Sequence, residues 1–579
     1  MKITDALKIM QEADAAAPPF RAVLACGFTP LHLQTFLAAR LQQRQPGRRV
    51  TIQTGLYGDI PGTLAAIQPK EVQAIAVVVE WPDLDPRLGY RGEGKWGLSA
   101  TRELVSVAGL ALDRIVIAVE AVPAEIPIAV LLPTLPPTPL FHVPEAAVAE
   151  IELELEQVTL EWGRRLAGRR NCFLVNRNRL AEESPPGSRF DLKSDLLKGL
   201  PYTISHADAV AEALARLLVP AAPKKGLISD LDDTLWFGIV GEIGSEGVSW
   251  DMAGHTQLHG LYQQLLSALA EEGVLIGIVS KNDPAIVKQA FARSDLRLRP
   301  EQVYPIEVSW NVKSAAVSRI LQAWNIGADS VVFVDDSPME LAEVKEAHPG
   351  IECMLFPKDD YGAAYSMLRR LRDLFGKPRI SDEDRIRLES IRSGAVFQSS
   401  QAAGEASEVF LQRADAVLRT DWQAAEDPRA LELVNKTNQF NLNGIRYTPA
   451  EWKQRVSRSG AWMMVVSYDD KFGPLGKIAV IQGREPENGV LCVENWVMSC
   501  RAFSRRIEHQ CLKRLFDRYG VQQIAFDFQV TAKNGPSQDF FASFVGEKPA
   551  SAFILTRAQF EKNCPPLYHR ALDSFEAAV

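Results

Sequence analysis

The sequence predicts a multidomain α/β protein. Three observations carry that expectation: a length beyond one hydrophobic core, apolar strand-like runs alternating with amphipathic helix-like runs, and polar residues gathered where the apolar runs end. At 579 residues the chain implies two to four domains. Three are expected, at 1–220, 224–375 and 379–579. Its 46% hydrophobic and 23% charged residues are the proportions of a globular protein, so each domain can bury a core.

The first segment alternates AVLACGF, AIAVVVEW and IVIAVEAV with helix-like stretches, which suggests parallel strands joined by crossover helices. It ends at VPAAPKKG, a proline- and lysine-bearing linker. The second runs GLISDLDDT, LHGLYQQLLSALAEEG, VLIGIVSKND, a further helix, then SVVFVDDSPMELAEVKEA, the order of a central doubly wound parallel sheet. The third opens on a charged helical stretch. It then shows WMMVVSYDD, GKIAVIQG and VLCVENWVMS before the helix-like RRIEHQCLKRLFDRYG, and reads as mixed α+β. No internal repeat or low-complexity tract is visible.

The formal charge of −8, from 64 basic and 72 acidic side chains, lacks the basic face that nucleic-acid binding requires. No membrane association is expected either. The most apolar stretch, from Ile115, is broken by Glu120, Glu125 and prolines before the ~20 residues a span needs. The N-terminus has no uninterrupted apolar region of the signal-peptide kind. Seven cysteines at 26, 172, 353, 492, 500, 511 and 564 include no CxxC pair and suit neither a disulfide framework nor a zinc site. A reducing cytoplasm is the expected location.

In an open parallel sheet, ligands bind beyond the carboxyl ends of the strands, so polar residues ending apolar runs are the ones to read for chemistry. Asp230, Asp232 and Thr234 follow GLIS; Ser280, Lys281 and Asn282 follow VLIGIV; Asp335 and Asp336 follow SVVFV. Lys313 stands at the start of a predicted helix in WNVKSAAV. Phosphoryl transfer explains the set. Asp230 is the expected nucleophile, forming an aspartyl-phosphate. A carboxylate approaches a phosphate only if their repulsion is neutralised, and Mg²⁺ held by Asp230, Asp335 and the backbone carbonyl of Asp232 would do this. The Asp232 side chain protonates the leaving oxygen and later activates water. Ser280 donates to the phosphoryl group, Lys313 offsets its charge, and Thr234, Lys281 and Asn282 complete the substrate side. Asp336 is left to orient Lys313 or cap the next helix.

These motifs resemble those of the haloacid dehalogenase superfamily, in which DxDxT, Ser/Thr, Lys and paired acidic residues follow in this order. The stretch SDLDDTLWFGIVGEIGSEGV is more particular and resembles the FkbH-like family, whose hallmark is DLDNTLWGGVxGExG. Trp236, Gly238, Gly241, Glu242 and Gly244 fall on that pattern. SKND from Ser280, FVDDSPMELAEV from Phe333, LVNKTNQFNLNG from Leu433 and MSCRAFSRRIE from Met498 extend the resemblance to the C-terminus. It implies a glyceryl transferase and phosphatase. Such an enzyme takes a three-carbon unit from 1,3-bisphosphoglycerate and loads it as a thioester on the phosphopantetheine arm of an acyl carrier protein in polyketide-type biosynthesis. A Mg²⁺-dependent small-molecule phosphatase without acyl transfer is the alternative.

The third segment also resembles the GNAT acetyltransferase fold, with Ser504 and Arg506 standing where its loop pattern has glycines. Cys500, in the Ser-Cys-Arg of the resemblance and beside Arg501, Arg505 and Arg506, is the candidate acyl-carrying thiol; packing beneath the helix is its other reading. Arg501 and Arg505 would meet the carrier's phosphate, and Asn438 and Gln439, with Asn435 to Thr437, line an acyl pocket or cap a helix. His509 is a base by residue type or a helix-surface histidine. The first segment resembles an SGNH-hydrolase-type extension without its nucleophile block, since Cys26-Gly27-Phe28-Thr29 ends its first strand. No hydrolase activity is expected there. Cys26 is a distant alternative nucleophile, and Trp81, Tyr90 and Trp96 form packing or a docking surface.

Overall fold

The computed structural model describes all residues except 93–100, 139–146, 378–379, 381–383, 385–386, 390, 393–406, 423–426, 438, 472, 500–501, 504 and 574–579. The chain divides into two compact units. One comprises residues 1–221 with 448–453, the other 222–447 with 454–579.

The first unit is built on a five-stranded sheet: β1 (Pro19–Cys26), β2 (Arg49–Thr54), β3 (Ala74–Val78), β4 (Ile128–Leu131) and β5 (Cys172–Leu174). The order is β2-β1-β3-β4-β5 and every pairing is parallel. Strand β3 is buried along its whole length, as a parallel strand covered on both faces must be. One expectation fails here. IVIAVEAV is not a strand; its first six residues, Ile115 to Glu120, form the last turns of the helix Thr101–Glu120. Leu104, Ala108, Leu112, Ile115 and Val119 are buried at spacings of three and four, a helical stripe that outweighs the β-branched look of that run. The strand lies beyond it, in β4.

The second unit holds two sheets. The first contains β6 (Gly226–Ser229), β7 (Leu275–Ser280), β8 (Val303–Val308), β9 (Val331–Asp335) and β10 (Glu352–Leu355). Their order is β10-β9-β6-β7-β8, again all parallel. Alternate residues point to opposite faces: Leu227, Val332 and Val334 enter one core, while Ile228, Val331 and Phe333 enter the other. This is the doubly wound sheet the sequence predicts.

The second sheet of this unit is mixed. It comprises β11 (Val417–Asp421), β12 (Phe440–Asn441), β13 (Ala461–Asp470), β14 (Gly473–Glu487), β15 (Val490–Met498), β16 (Gln523–Phe526), β17 (Phe553–Thr556) and β18 (Arg570–Asp573). The order is β17-β16-β15-β14-β13-β11-β18, with β12 paired to β15. The meander β13-β14-β15 is antiparallel, and the helix Ile507–Tyr519 follows it, as expected for an α+β arrangement. Among the described residues, no helix is long and apolar enough to cross a membrane.

Candidate active site

In the sheet of β6 to β10 the chain leaves β6 toward β7 and β8, then returns to β9 on the other side. The crevice between the carboxyl ends of β6 and β9 is therefore the switch point where a doubly wound fold binds ligands. Asp230 follows β6 and Asp335 closes β9. Lys313, the first residue of the helix Lys313–Trp324, reaches between them. Its Nζ lies 2.6 Å from Asp335 Oδ2 and 3.1 Å from Asp230 Oδ1, and all three side chains are at most 8% exposed.

A buried ammonium ion between two carboxylates leaves the group one negative charge in excess, before Asp336 is counted. Burial pushes the Asp230 carboxyl up to about 7; Lys313 works against this and Asp335 with it. Burial likewise raises Asp335 despite Lys313. Burial alone would favour neutral Lys313, but Asp230 and Asp335 hold its ammonium above the usual lysine range. Carboxylate oxygens of Asp230, Asp335 and Asp336 all lie within 4.8 Å of one another and could hold a metal ion. Three carboxylates with no imidazole or thiolate among them suit a hard cation such as Mg²⁺.

Asp336 thus stands with the acidic group and takes neither role expected of it. Lys313 pairs with Asp230 and Asp335 instead, and the next helix, Pro338–Ala347, is capped by Ser337, whose side chain accepts from Glu340 N. The other partner of Asp336 is Lys358, at 3.0 Å, which also pairs with Asp233 at 2.7 Å. This clasp joins the loop after β6 to the segment after β10. Lys358 was not anticipated from sequence, although LFPKDDY is another polar run ending an apolar strand.

The Asp232 side chain is held on both oxygens. Oδ1 accepts from Trp236 Nε1 at 2.9 Å and from Val240 N at 3.1 Å. Oδ2 accepts from Asn282 Nδ2 at 2.9 Å, and the same Nδ2 donates to Ser280 Oγ at 3.0 Å. The loop that allows this turns at Asp233, whose φ is +51° and whose Oδ1 accepts from Gly238 N at 2.8 Å. A short polar side chain that bonds nearby backbone is what makes aspartate tolerable in the left-handed region.

Two of the expected substrate residues are placed elsewhere. Thr234 is fully buried, its Oγ1 without a hydrogen-bond partner among the described residues, while its carbonyl lies 2.9 Å from His259 Nδ1. Lys281 turns to Glu340, 2.7 Å away on the following helix.

In the mixed sheet, Cys500, Arg501, Ser504 and Asn438 lie outside the described residues. Arg505 departs from expectation. It is 2% exposed, faces Asp470 at 3.4 Å and stacks over Tyr468. Its partner lies 35 residues upstream, which local sequence could not show. Gln439 is half-buried in the turn before β12. Asn435 tethers the backbone of Tyr447 through both its amide atoms, a loop-pinning role. His509 is not on a free helix surface but packs edge-on against Phe540 at 5.1 Å. In the first unit, Cys26 is buried and its thiol is pushed up to about 12 by burial and by Asp83, which removes it as a nucleophile. Trp96 lies outside the described residues.

No protein-family model and no curated protein matches the chain. Among solved structures, the chain is similar to the N-terminal part of protein BF1531 from Bacteroides fragilis, which contains a phosphatase domain complexed with Mg. The identity is 17% and the TM-score 0.51, over 66% of this chain and all of that one. An uncharacterised protein from Corynebacterium glutamicum covers 27% of this chain and 98% of its own length at 19% identity and a TM-score of 0.20. An extracellular lipase from Streptomyces rimosus covers 35% of this chain and all of its own length at 13% and 0.24. The Bacteroides match shows a shared fold.

Proposed function

We propose that the chain is a Mg²⁺-dependent phosphatase and glyceryl (hydroxyacyl) transferase of the FkbH-like kind, with a phosphorylated three-carbon substrate and an acyl carrier protein as acceptor. One observation carries the phosphatase half: Asp230, Asp335 and Lys313 converge, nearly dry, beside Asp336 at the switch point of a doubly wound sheet. The Mg complex of the Bacteroides phosphatase domain supports the choice of metal.

In this reading Asp230 Oδ attacks phosphorus and the bond from phosphorus to the substrate oxygen breaks. Asp232, fixed by Trp236 and Asn282, gives that oxygen its proton. Water then attacks the aspartyl-phosphate, Asp232 takes the proton back, and phosphate leaves with Asp230 restored. Ser280 Oγ and Lys313 Nζ bind the phosphoryl oxygens. Asp230, Asp335 and Asp336 would hold Mg²⁺, which would supply the charge that lets an anionic nucleophile approach an anionic substrate.

The transfer half rests on the sequence resemblance at LVNKTNQFNLNG and MSCRAFSRRIE, with Cys500 as the thiol that receives the acyl group. A thioester keeps the acyl group reactive enough to pass to a pantetheine thiol. The test is incubation with 1,3-bisphosphoglycerate and a panel of carrier proteins, followed by intact mass of every species. The protein should carry an adduct that hydroxylamine removes and Cys500→Ala lacks, and one carrier should gain a glyceryl unit. The plain-phosphatase reading is favoured by burial of Arg505, which withdraws one expected phosphate-binding group. Phosphate release with no carrier adduct would decide for it.

A further inference from the structure

The first unit contains a cavity of about 750 Å³, within the range of small-molecule sites. Its place is informative. In the order β2-β1-β3-β4-β5 the chain leaves β1 on one side and returns on the other, so the switch point lies between the carboxyl ends of β1 and β3. Gly27, directly after β1, and Glu80 to Asp83, directly after β3, line the cavity there.

Two carboxyl groups stand at this point in different circumstances. Glu80, 1% exposed, is fully engaged: Oε1 accepts from Thr134 Oγ1 and Tyr202 OH, and Oε2 from the backbone N–H groups of Thr134 and Leu135. It is part of the wall. Asp83 gives only Oδ2 to the protein, accepting from Glu80 N at 2.8 Å. Oδ1 is laid over Gly27 so closely that a Cβ there would meet it at 1.6 Å. Among the described residues Oδ1 has no hydrogen-bond partner. The walls around it are aromatic, from Phe28, Tyr57, Trp81, Tyr90 and Phe190. Asp59 and Asp195 add further acidic groups at the lining, against Arg91 and Arg114.

We propose that this cavity is a second ligand site, taking an uncharged, largely apolar small molecule whose hydroxyl group meets Asp83 Oδ1 above Gly27. The aromatic walls select an apolar body. The acidic lining disfavours an anion. A hydroxyl both donates and accepts, so it suits Asp83 in either protonation state; burial pushes that carboxyl up to about 7, so both states are populated near neutrality.

The test is titration calorimetry on the full chain with 1-naphthol as probe and 1-naphthalenesulfonate as its anionic counterpart. Naphthol should bind saturably at one site, with the sulfonate at least about tenfold weaker. Asp83→Asn, which keeps the volume and the bond from Glu80 N, should weaken naphthol about three- to tenfold, the scale of one neutral hydrogen bond. Ala111→Phe, placed on the lining of the cavity, should abolish saturable binding. Gly27→Ala should weaken it by displacing Asp83. Circular dichroism and thermal unfolding establish which variants fold, and any folded one serves. The proposal falls if wild type shows no saturable binding, if the sulfonate binds as tightly as naphthol, or if every folded variant binds like wild type.

Discussion

Replacing Lys313 with methionine is the perturbation with the most calculable consequence. The chain length is nearly kept and the charge removed, leaving Asp230 and Asp335 buried with no cation between them. Breaking a buried pair by removing one partner costs about 3–5 kcal/mol, and here one ammonium ion serves two carboxylates, so the upper part of that range is expected. The cost depends on pH in a definite direction. A carboxyl whose folded pKa is raised loses stability as pH climbs from its unfolded value to its folded one. In wild type this loss ends near pH 7, where Asp230 ionises. In the variant the folded value lies higher still, so the deficit keeps growing above pH 7, by up to about 1.4 kcal/mol per pH unit. Mg²⁺ takes over the missing charge and should recover much of the deficit by binding the folded state. Urea unfolding in EDTA at pH 7 and pH 8, then in excess MgCl₂, measures all three effects. A variant within about 1 kcal/mol of wild type in EDTA, or one that Mg²⁺ stabilises no more than wild type, would refute this account of the site.

Asp230→Asn should lower phosphate release by about 10²-fold or more with an unchanged circular dichroism spectrum, because it removes the proposed nucleophile at constant volume. Asp335→Ala and Asp336→Ala should both raise the Mg²⁺ concentration for half-maximal phosphate release. The larger shift is expected for buried Asp335, and a larger shift for Asp336 would exchange their roles. Trp236→Phe should cut kcat by about 10-fold or more, since one bond to a charged group is worth about 1.5–3 kcal/mol, while leaving the Mg²⁺ requirement unchanged. Equal kcat in the two proteins would show that Asp232 is held well enough by Val240 and Asn282.

Sequence revealed most of the residues gathered at the switch point of β6 and β9 because they sit at strand ends, and strand ends are where an apolar run meets a polar one. Asp230, Ser280 and Asp335 could each be read that way, and Lys313 from its place at a helix start. What escaped was set by distant partners. Asp336 and Lys358 are 22 residues apart, and only the parallel pairing of β9 with β10 brings them together. Arg505 looked like a phosphate ligand among other arginines, but Asp470 on β13 claims it. IVIAVEAV misled for a different reason: eight residues rich in valine and isoleucine satisfy a strand pattern, and the repeated spacing of three and four that marks the helix is plain only over the longer stretch from Leu104 to Val119. The cavity of the first unit was only half visible. Trp81 and Tyr90 were noted, but the seating of Asp83 on Gly27 joins residues 56 positions apart.

The amide of Asn282 fixes the direction of hydrogen bonding across the site. A primary amide nitrogen has two protons, and here one goes to Asp232 and the other to Ser280 Oγ. That serine oxygen is therefore an acceptor toward Asn282, and its own proton is left for another partner. Polarity at this spot is thus decided by one amide nitrogen that binds Asp232 and Ser280 together. An aspartate at position 282, equal in shape, would bring lone pairs where protons stand, set two carboxylates against each other, and draw the serine proton back toward itself. The site would keep its outline with its donors and acceptors reversed.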